Sequence, residues 1–255
     1  MNRGDIASVS EIKALSDTLE KNNYYSLLLT YHSKTRDMLI KSFGAASNNQ
    51  KLKYMLAVRT YAISPEYMSM ICKAYNEEFP NKLILNVVSG DIHSEENSVK
   101  DLILISENLN TPKKRLPYTR AWMQKFKELS TEYYPEIFMA GHSDDTRAMA
   151  NEFDATHISM LDMQNKYMKK YNRIVNKKQM VSLSIVIRDS VEEAVDFIKK
   201  NATGGGLEWT IYGSKDQVAE QIKSLESQGI TDIIISKINN DDKIDLVHQL
   251  IGEIS

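Results

Sequence analysis

Cysteine is almost absent: the 255-residue chain carries one, Cys72. An internal disulfide is excluded, which suits a reducing compartment, and the expected location is the cytoplasm. Long apolar runs are missing too. No stretch of about eighteen apolar residues exists, so no membrane-spanning helix is expected. The polar opening MNRGDIASVSEIK does not read as a signal peptide. An excess of one charge is also lacking: 32 Lys and Arg against 34 Asp and Glu leave a net charge of -2. That gives no electrostatic footprint for nucleic acid. The short basic clusters Lys113-Lys114-Arg115 and Lys177-Lys178 read as solvated loop or helix-end charge. Walker A, HExxH, CxxC and GxSxG motifs are all absent. Of the five histidines, His32, His93, His142, His157 and His248, none stands at metal-ligand spacing from another, and no metal is expected.

What is present is an alternation. Seven short apolar runs read as strands: 24–30, 54–59, 83–88, 137–140, 156–160, 181–187 and 232–236. They are nearly continuous in apolar residues, as parallel strands buried on both faces are. Between them lie amphipathic segments. Residues 9–21 carry Ile12, Leu15 and Leu19; residues 64–79 open on Ser-Pro-Glu, a cap followed by proline at the first helical position. Residues 143–152, 190–200 and 214–228 follow the same plan, with Gly229 placed as a left-handed cap. This regularity predicts a parallel α/β fold in one domain, residues 1–255. Two stretches break the pattern, 90–118 and 201–212, and read as loops, the second with Gly204-Gly205-Gly206.

Candidate site residues cluster where strands end. Asn86-Val87-Val88-Ser89-Gly90-Asp91 closes one strand, either as a ligand-facing rim or as ordinary turn chemistry. Gly141-His142-Ser143 joins a strand to a helix start, where free backbone N–H groups suit a phosphate; a plain Ser N-cap is the alternative. Arg59 ends an apolar strand and needs a counter-charge or a ligand there. His32 and His142 both follow strands, His157 lies inside one with a core role, and His248 reads as surface. Cys72 sits at an apolar helix position beside Met68 and Ile71, as a buried structural thiol.

The order of these fragments resembles the bacterial luciferase-like flavin monooxygenases, nearest the alkanesulfonate monooxygenase branch. MLAVRTYAISPEYMSMICKAYNEEFPNKLILNVVSGD is similar to that branch's AVRPG strand, ISP helix start and NVVTG strand. PEIFMAGHSDDTRAMANEFDATHI resembles its PPLYFGGSSDAA block, and VSLSIVIRDSVEEAVDFI its HVIVRETEEEA block. GGGLEWTIYGSKDQVAEQIKSLESQGITDIIIS is similar to its closing GGAGTALVGDPEQVAERI…LGIDTFILS. The resemblance implies a (β/α)₈ TIM-type barrel that binds reduced FMN at the C-terminal mouth. It implies oxidation of a small organic substrate by dioxygen, with a flavin reductase as partner and a homo-oligomeric state. Carried over by position, Asn86 and Val88 would line the flavin ring, and Tyr118, Gly141, His142 and Ser143 would hold the phosphate. His32 as acid–base and Arg59 as charge stabiliser complete the candidate set.

The departures are specific. Arg and His of the alkanesulfonate enzymes are matched by Ser182 and Ser184, and their cysteine by Thr35, which speaks against a sulfonate substrate. The first strand of such barrels has no evident counterpart before residue 9, so a shortened barrel with seven strands is expected, its gap covered by a second copy. A deazaflavin-dependent oxidoreductase and a non-catalytic flavin-binding partner subunit are the rival readings.

Overall fold

The computed structural model describes residues 8–30, 37–47, 51–89, 112–141, 143–160, 179–202, 206–236 and 241–254. They fall into two compact units, one made of the described residues of 8–20 and 25–155, the other of 21–24 and those of 156–254.

In the first unit four parallel strands lie in chain order: β1 (Ser26–Leu29), β2 (Lys53–Arg59), β3 (Leu83–Val88) and β4 (Glu136–Ala140). Strand side chains alternate between faces. One set, Tyr54, Leu56, Val58, Leu83, Leu85, Val87, Ile137 and Met139, packs into a core with the helices. Those helices are α1 (Val9–Lys21), α2 (Met38–Ala46), α3 (Pro65–Glu78), α4 (Pro112–Leu129) and α5 (Asp144–Glu152). They contribute Ile12, Ala45, Cys72, Trp122, Phe126 and Met149, among others. The other face carries Met55, Ala57 and Arg59, then Ile84, Asn86 and Val88, then Phe138 and Ala140.

Local sequence explains the helix starts. Ser64 accepts from the Tyr67 amide with Pro65 at the first turn, and Ser143 accepts from the Thr146 amide. Helix α2 is mixed in polarity on both sides. Its one charged side chain, Lys41, is buried, whereas Ile40 is 70% and Phe43 42% exposed. The inward side is held by Met38, Ala45 and Ala46, so the apolar residues are spread around the helix rather than gathered on one stripe. The stretch 90–118 corrects the loop expectation in part: Pro112–Tyr118 belongs to α4, with Pro117 inside the helix, and 90–111 lies outside the described residues.

The second unit centres on β6 (Gln179–Ile187), paired in parallel with β5 (Thr156–Met160), β7 (Thr210–Gly213) and β8 (Asp232–Ser236). β5 and β8 pair the same stretch of β6, so they take opposite edges; β7 takes residues 184–187. Val181, Leu183, Ile185 and Ile187 pack against α7 (Lys215–Ser227) and α8 (Ile244–Ile254). On the opposite face Val186 packs against Ala194 and Ile198 of α6 (Val191–Asn201). α7 starts with a full capping box, Ser214 with Gln217, and ends before Gly229 at φ +85°.

β7 corrects a second expectation. Residues 201–212 are not all loop: a 3₁₀ turn spans Gly206–Trp209 and runs straight into β7. The described strands therefore number eight, not seven. Four residues are too few to show a period, so the segment reads as loop from sequence alone. His248, read as surface, is half-buried, and its Nδ1 lies 3.0 Å from the Tyr24 hydroxyl.

Arg188 clasps the end of β6. Its guanidinium donates to the Ile187 carbonyl at 2.7 Å, to Asp241 at 3.0 Å and to Asp242 at 3.1 Å, and it lies 3.9 Å above the Phe197 ring. A buried cation survives only with such pairing.

Candidate active site

The strand register of the first unit decides which expected residues meet. Ala57 pairs Asn86, and Asn86 pairs Phe138; two residues on, Arg59 pairs Val88, and Val88 pairs Ala140. Arg59, Asn86 and Val88 therefore share one sheet face at the C-terminal ends of β2, β3 and β4. In parallel α/β sheets this is the end where ligands bind.

Asn86 is the informative member. It is 7% exposed, and its Oδ1 is buried with no hydrogen-bond partner. An unpaired buried acceptor costs about 1–3 kcal/mol. Its neighbours in register, Ala57 and Phe138, supply no donor side chain. The acceptor is thus open to a donor from a bound molecule. Arg59 and Val88 are half-buried beside it.

Gly141 follows β4 directly, and its lack of a side chain is required. A Cβ there would lie 2.8 Å from both Cγ2 and Oγ1 of Thr146. Ser143 caps α5: its hydroxyl accepts from the Thr146 amide at 3.2 Å and lies 2.9 Å from the Thr146 hydroxyl. Asp144 and Asp145 fill the first turn and already complement the helix dipole. Tyr118, expected at the phosphate, is 40% exposed on α4. His32, Thr35 and His142 lie outside the described residues.

Sequence reasoning missed the support behind this rim. The Thr60 and Thr119 hydroxyls meet at 3.0 Å in the interior, and the Trp122 indole donates to the Ile63 carbonyl at 2.8 Å. Both contacts tie the segment after β2 to α4. A threonine after a strand and another in mid-helix give no sequence signal of their pairing.

In the second unit, Ser182 and Ser184 lie on the face of β6 opposite the core residues Val181 and Leu183, and both are half-buried. Ser184 pairs with Ser236 on β8.

The sequence matches no protein family and no curated protein. Solved structures do match. A long-chain alkane monooxygenase is 14% identical, with TM-score 0.74 over 97% of this chain and 84% of its own. The oxygenating constituent of 3,6-diketocamphane monooxygenase from Pseudomonas putida, solved with FMN, is 12% identical, with TM-score 0.65 over 97% and 91%. A coenzyme F420 dependent tetrahydromethanopterin reductase from Methanopyrus kandleri is 13% identical, with TM-score 0.69 over 98% and 95%. The fold is of the TIM-barrel type. In TIM-type folds the rim formed by the strand C-termini is the functional end, which is where Arg59, Asn86 and Val88 stand. Among the described residues no cluster of His, Cys, Asp and Glu could hold a metal, and no helix is long and apolar enough to cross a membrane.

Proposed function

We propose that the protein is a flavin-dependent monooxygenase that uses reduced FMN and dioxygen to oxidise a small, uncharged organic substrate. The observation that carries this reading is the buried, unpaired Oδ1 of Asn86 on the ligand-binding face of a fold shared with an FMN-bound oxygenase. Asn86 accepts from a ring N–H and Val88 packs on the ring. Gly141, His142, Ser143 and Tyr118 hold the phosphate end, the backbone at the start of α5 supplying donors. Arg59 stabilises negative charge, and His32 is the acid–base group. Bound reduced flavin supplies the electrons that activate dioxygen; the protein's part is to orient the ring and exclude water.

Ser182 and Ser184 argue for a neutral substrate, since neither can neutralise a sulfonate. A flavin reductase delivers the reduced cofactor. A homo-oligomeric assembly belongs to the same reading, with exposed Ile40 on α2 and Tyr67 and Met70 on α3 as residues that a second copy could cover.

The F420-dependent neighbour favours one second reading, hydride transfer with a deazaflavin. Titration with reduced FMN, riboflavin and a deazaflavin, followed by oxygen-electrode assays with an added flavin reductase, separates the two. Binding of FMN above riboflavin with substrate-dependent oxygen uptake is expected. Tight deazaflavin binding without oxygen uptake would establish the second reading, and flavin binding without turnover a non-catalytic partner subunit.

A further inference from the structure

The chain turns as soon as it leaves β2. The Ala62 amide donates to the Arg59 carbonyl at 2.9 Å, closing a tight turn over 59–62. Helix α4 holds this segment at two points, three residues apart on one helix face. The Thr119 hydroxyl lies 3.0 Å from the Thr60 hydroxyl, and the Trp122 indole donates to the Ile63 carbonyl at 2.8 Å. Thr60 and Thr119 are each 1% exposed, and neither hydroxyl has a second partner among the described residues.

Stability alone does not call for hydroxyls here. Two valines of the same shape would fill the space and leave no polar group unpaired. What valines cannot reproduce is the spacing. The hydroxyl oxygens meet at 3.0 Å, whereas carbon atoms pack at about 3.5–4.0 Å. The hydrogen bond therefore draws the turn and α4 closer by roughly 0.5–1 Å than an apolar contact would. The residues just before the pair in the chain are Arg59 and Tyr118, so the same bond sets how these two stand to each other. Apart from the two contacts with the turn, α4 is weakly held at this level. Pro117 has no N–H to give the Lys113 carbonyl, and the tie to α5 is the Arg120–Glu152 pair, whose side chains are 46% and 40% exposed.

We propose that Thr60 and Thr119 are positioning residues: their hydrogen bond sets the spacing of Arg59 and Tyr118 in the flavin site, a role that rests on the flavin reading above. The experiment is anaerobic calorimetric titration of the full chain with reduced FMN and reduced riboflavin. Thr60→Val, Thr119→Val and the double valine variant should each bind FMN about tenfold more weakly. Riboflavin, which has no phosphate for Tyr118 to meet, should lose less. Thr119→Ser, which keeps the hydroxyl, should stay within about twofold of wild type, and so should Arg120→Gln. Urea unfolding of the same samples separates position from stability. Each single valine variant strands a buried hydroxyl and loses stability, whereas the double variant strands none and recovers it. FMN affinity should not recover with it. Recovery of both in the double variant, or a Thr119→Ser protein as weak as Thr119→Val, overturns the positioning role alone. A wild type that binds neither flavin overturns the flavin reading and this role together.

Discussion

Lys53 and Glu136 form a 3.2 Å ion pair although their strands, β2 and β4, are not neighbours; β3 lies between them. The Tyr25 hydroxyl joins both, donating to Glu136 and accepting from Lys53, and Lys53 also lies 4.5 Å above the Tyr25 ring. The three side chains span the N-terminal ends of the first-unit strands. Both charged partners are partly solvated, so the pair is worth little. A double-mutant cycle with Lys53→Met and Glu136→Gln should give a coupling of roughly 0.5–1 kcal/mol. Salt should reduce it. A coupling well above that range would mean the pair is more shielded than its exposure indicates.

Cys72 is shut in the first-unit core, and burial pushes its thiol up to about 12. It should resist alkylation at pH 8 in the native protein and react at once in denaturant. The folded state holds its proton longer than the unfolded one. Its contribution to stability is therefore complete below the ordinary value of 9.0 and is lost as pH rises towards about 12. Urea titrations across that window should show a steeper loss in the wild type than in Cys72→Ala.

Asn86→Leu separates binding from folding. Removing an unpaired buried acceptor should leave stability unchanged or raise it by about 1 kcal/mol. Flavin affinity should fall by roughly 1–2 kcal/mol, five- to thirtyfold, because the ring N–H loses its acceptor. Calorimetry and urea unfolding on the same sample test both halves. Unchanged flavin affinity would remove Asn86 from the site.

Ser143→Ala should cost about 1 kcal/mol of stability as a lost N-cap. If α5 also holds the phosphate, FMN affinity should fall while riboflavin affinity does not. Equal losses for both ligands would place the phosphate elsewhere.

Gly141→Ala puts a methyl group against Thr146, and overpacking of this kind costs about 1–3 kcal/mol. Thr146→Ala on that background should recover part of the loss. A neutral Gly141→Ala would show that the turn yields more easily than its contacts indicate.

Much of this fold was legible where physics leaves a local trace. β3, β5 and β8 fall on the expected residues because their apolar runs end in polar or turn residues. The serine caps at 64, 143, 190 and 214 mark helix starts that a backbone accounting requires. α2 was illegible because its lysine is buried while Ile40 and Phe43 are exposed, so the inward positions Met38, Ala45 and Ala46 do not stand out from the rest of the helix. β7 was illegible because four residues between a glycine-rich segment and a helix cap carry no period. Of the candidate site, Arg59, Asn86 and Val88 come together because residues ending adjacent parallel strands share a level. Tyr118 does not announce its place, since α4 begins at a proline and contains another. The orphaned oxygen of Asn86 is invisible in any sequence, because it depends on what β2 and β4 place opposite it.

β6 has one further consequence. Its first half is flanked by β5 and β8 on its two edges, while its second half pairs β7 and alone has α6 packed on one face, α7 and α8 covering the other along the strand. One nine-residue strand thus belongs to two load paths that can fail separately. Loosening the α6 layer, for instance by Ile198→Ala, should release the amides of 185–187 to deuterium first and leave those of 180–183 protected. Ser184, the junction that pairs with both Thr210 and Ser236, is where the zipper would stop.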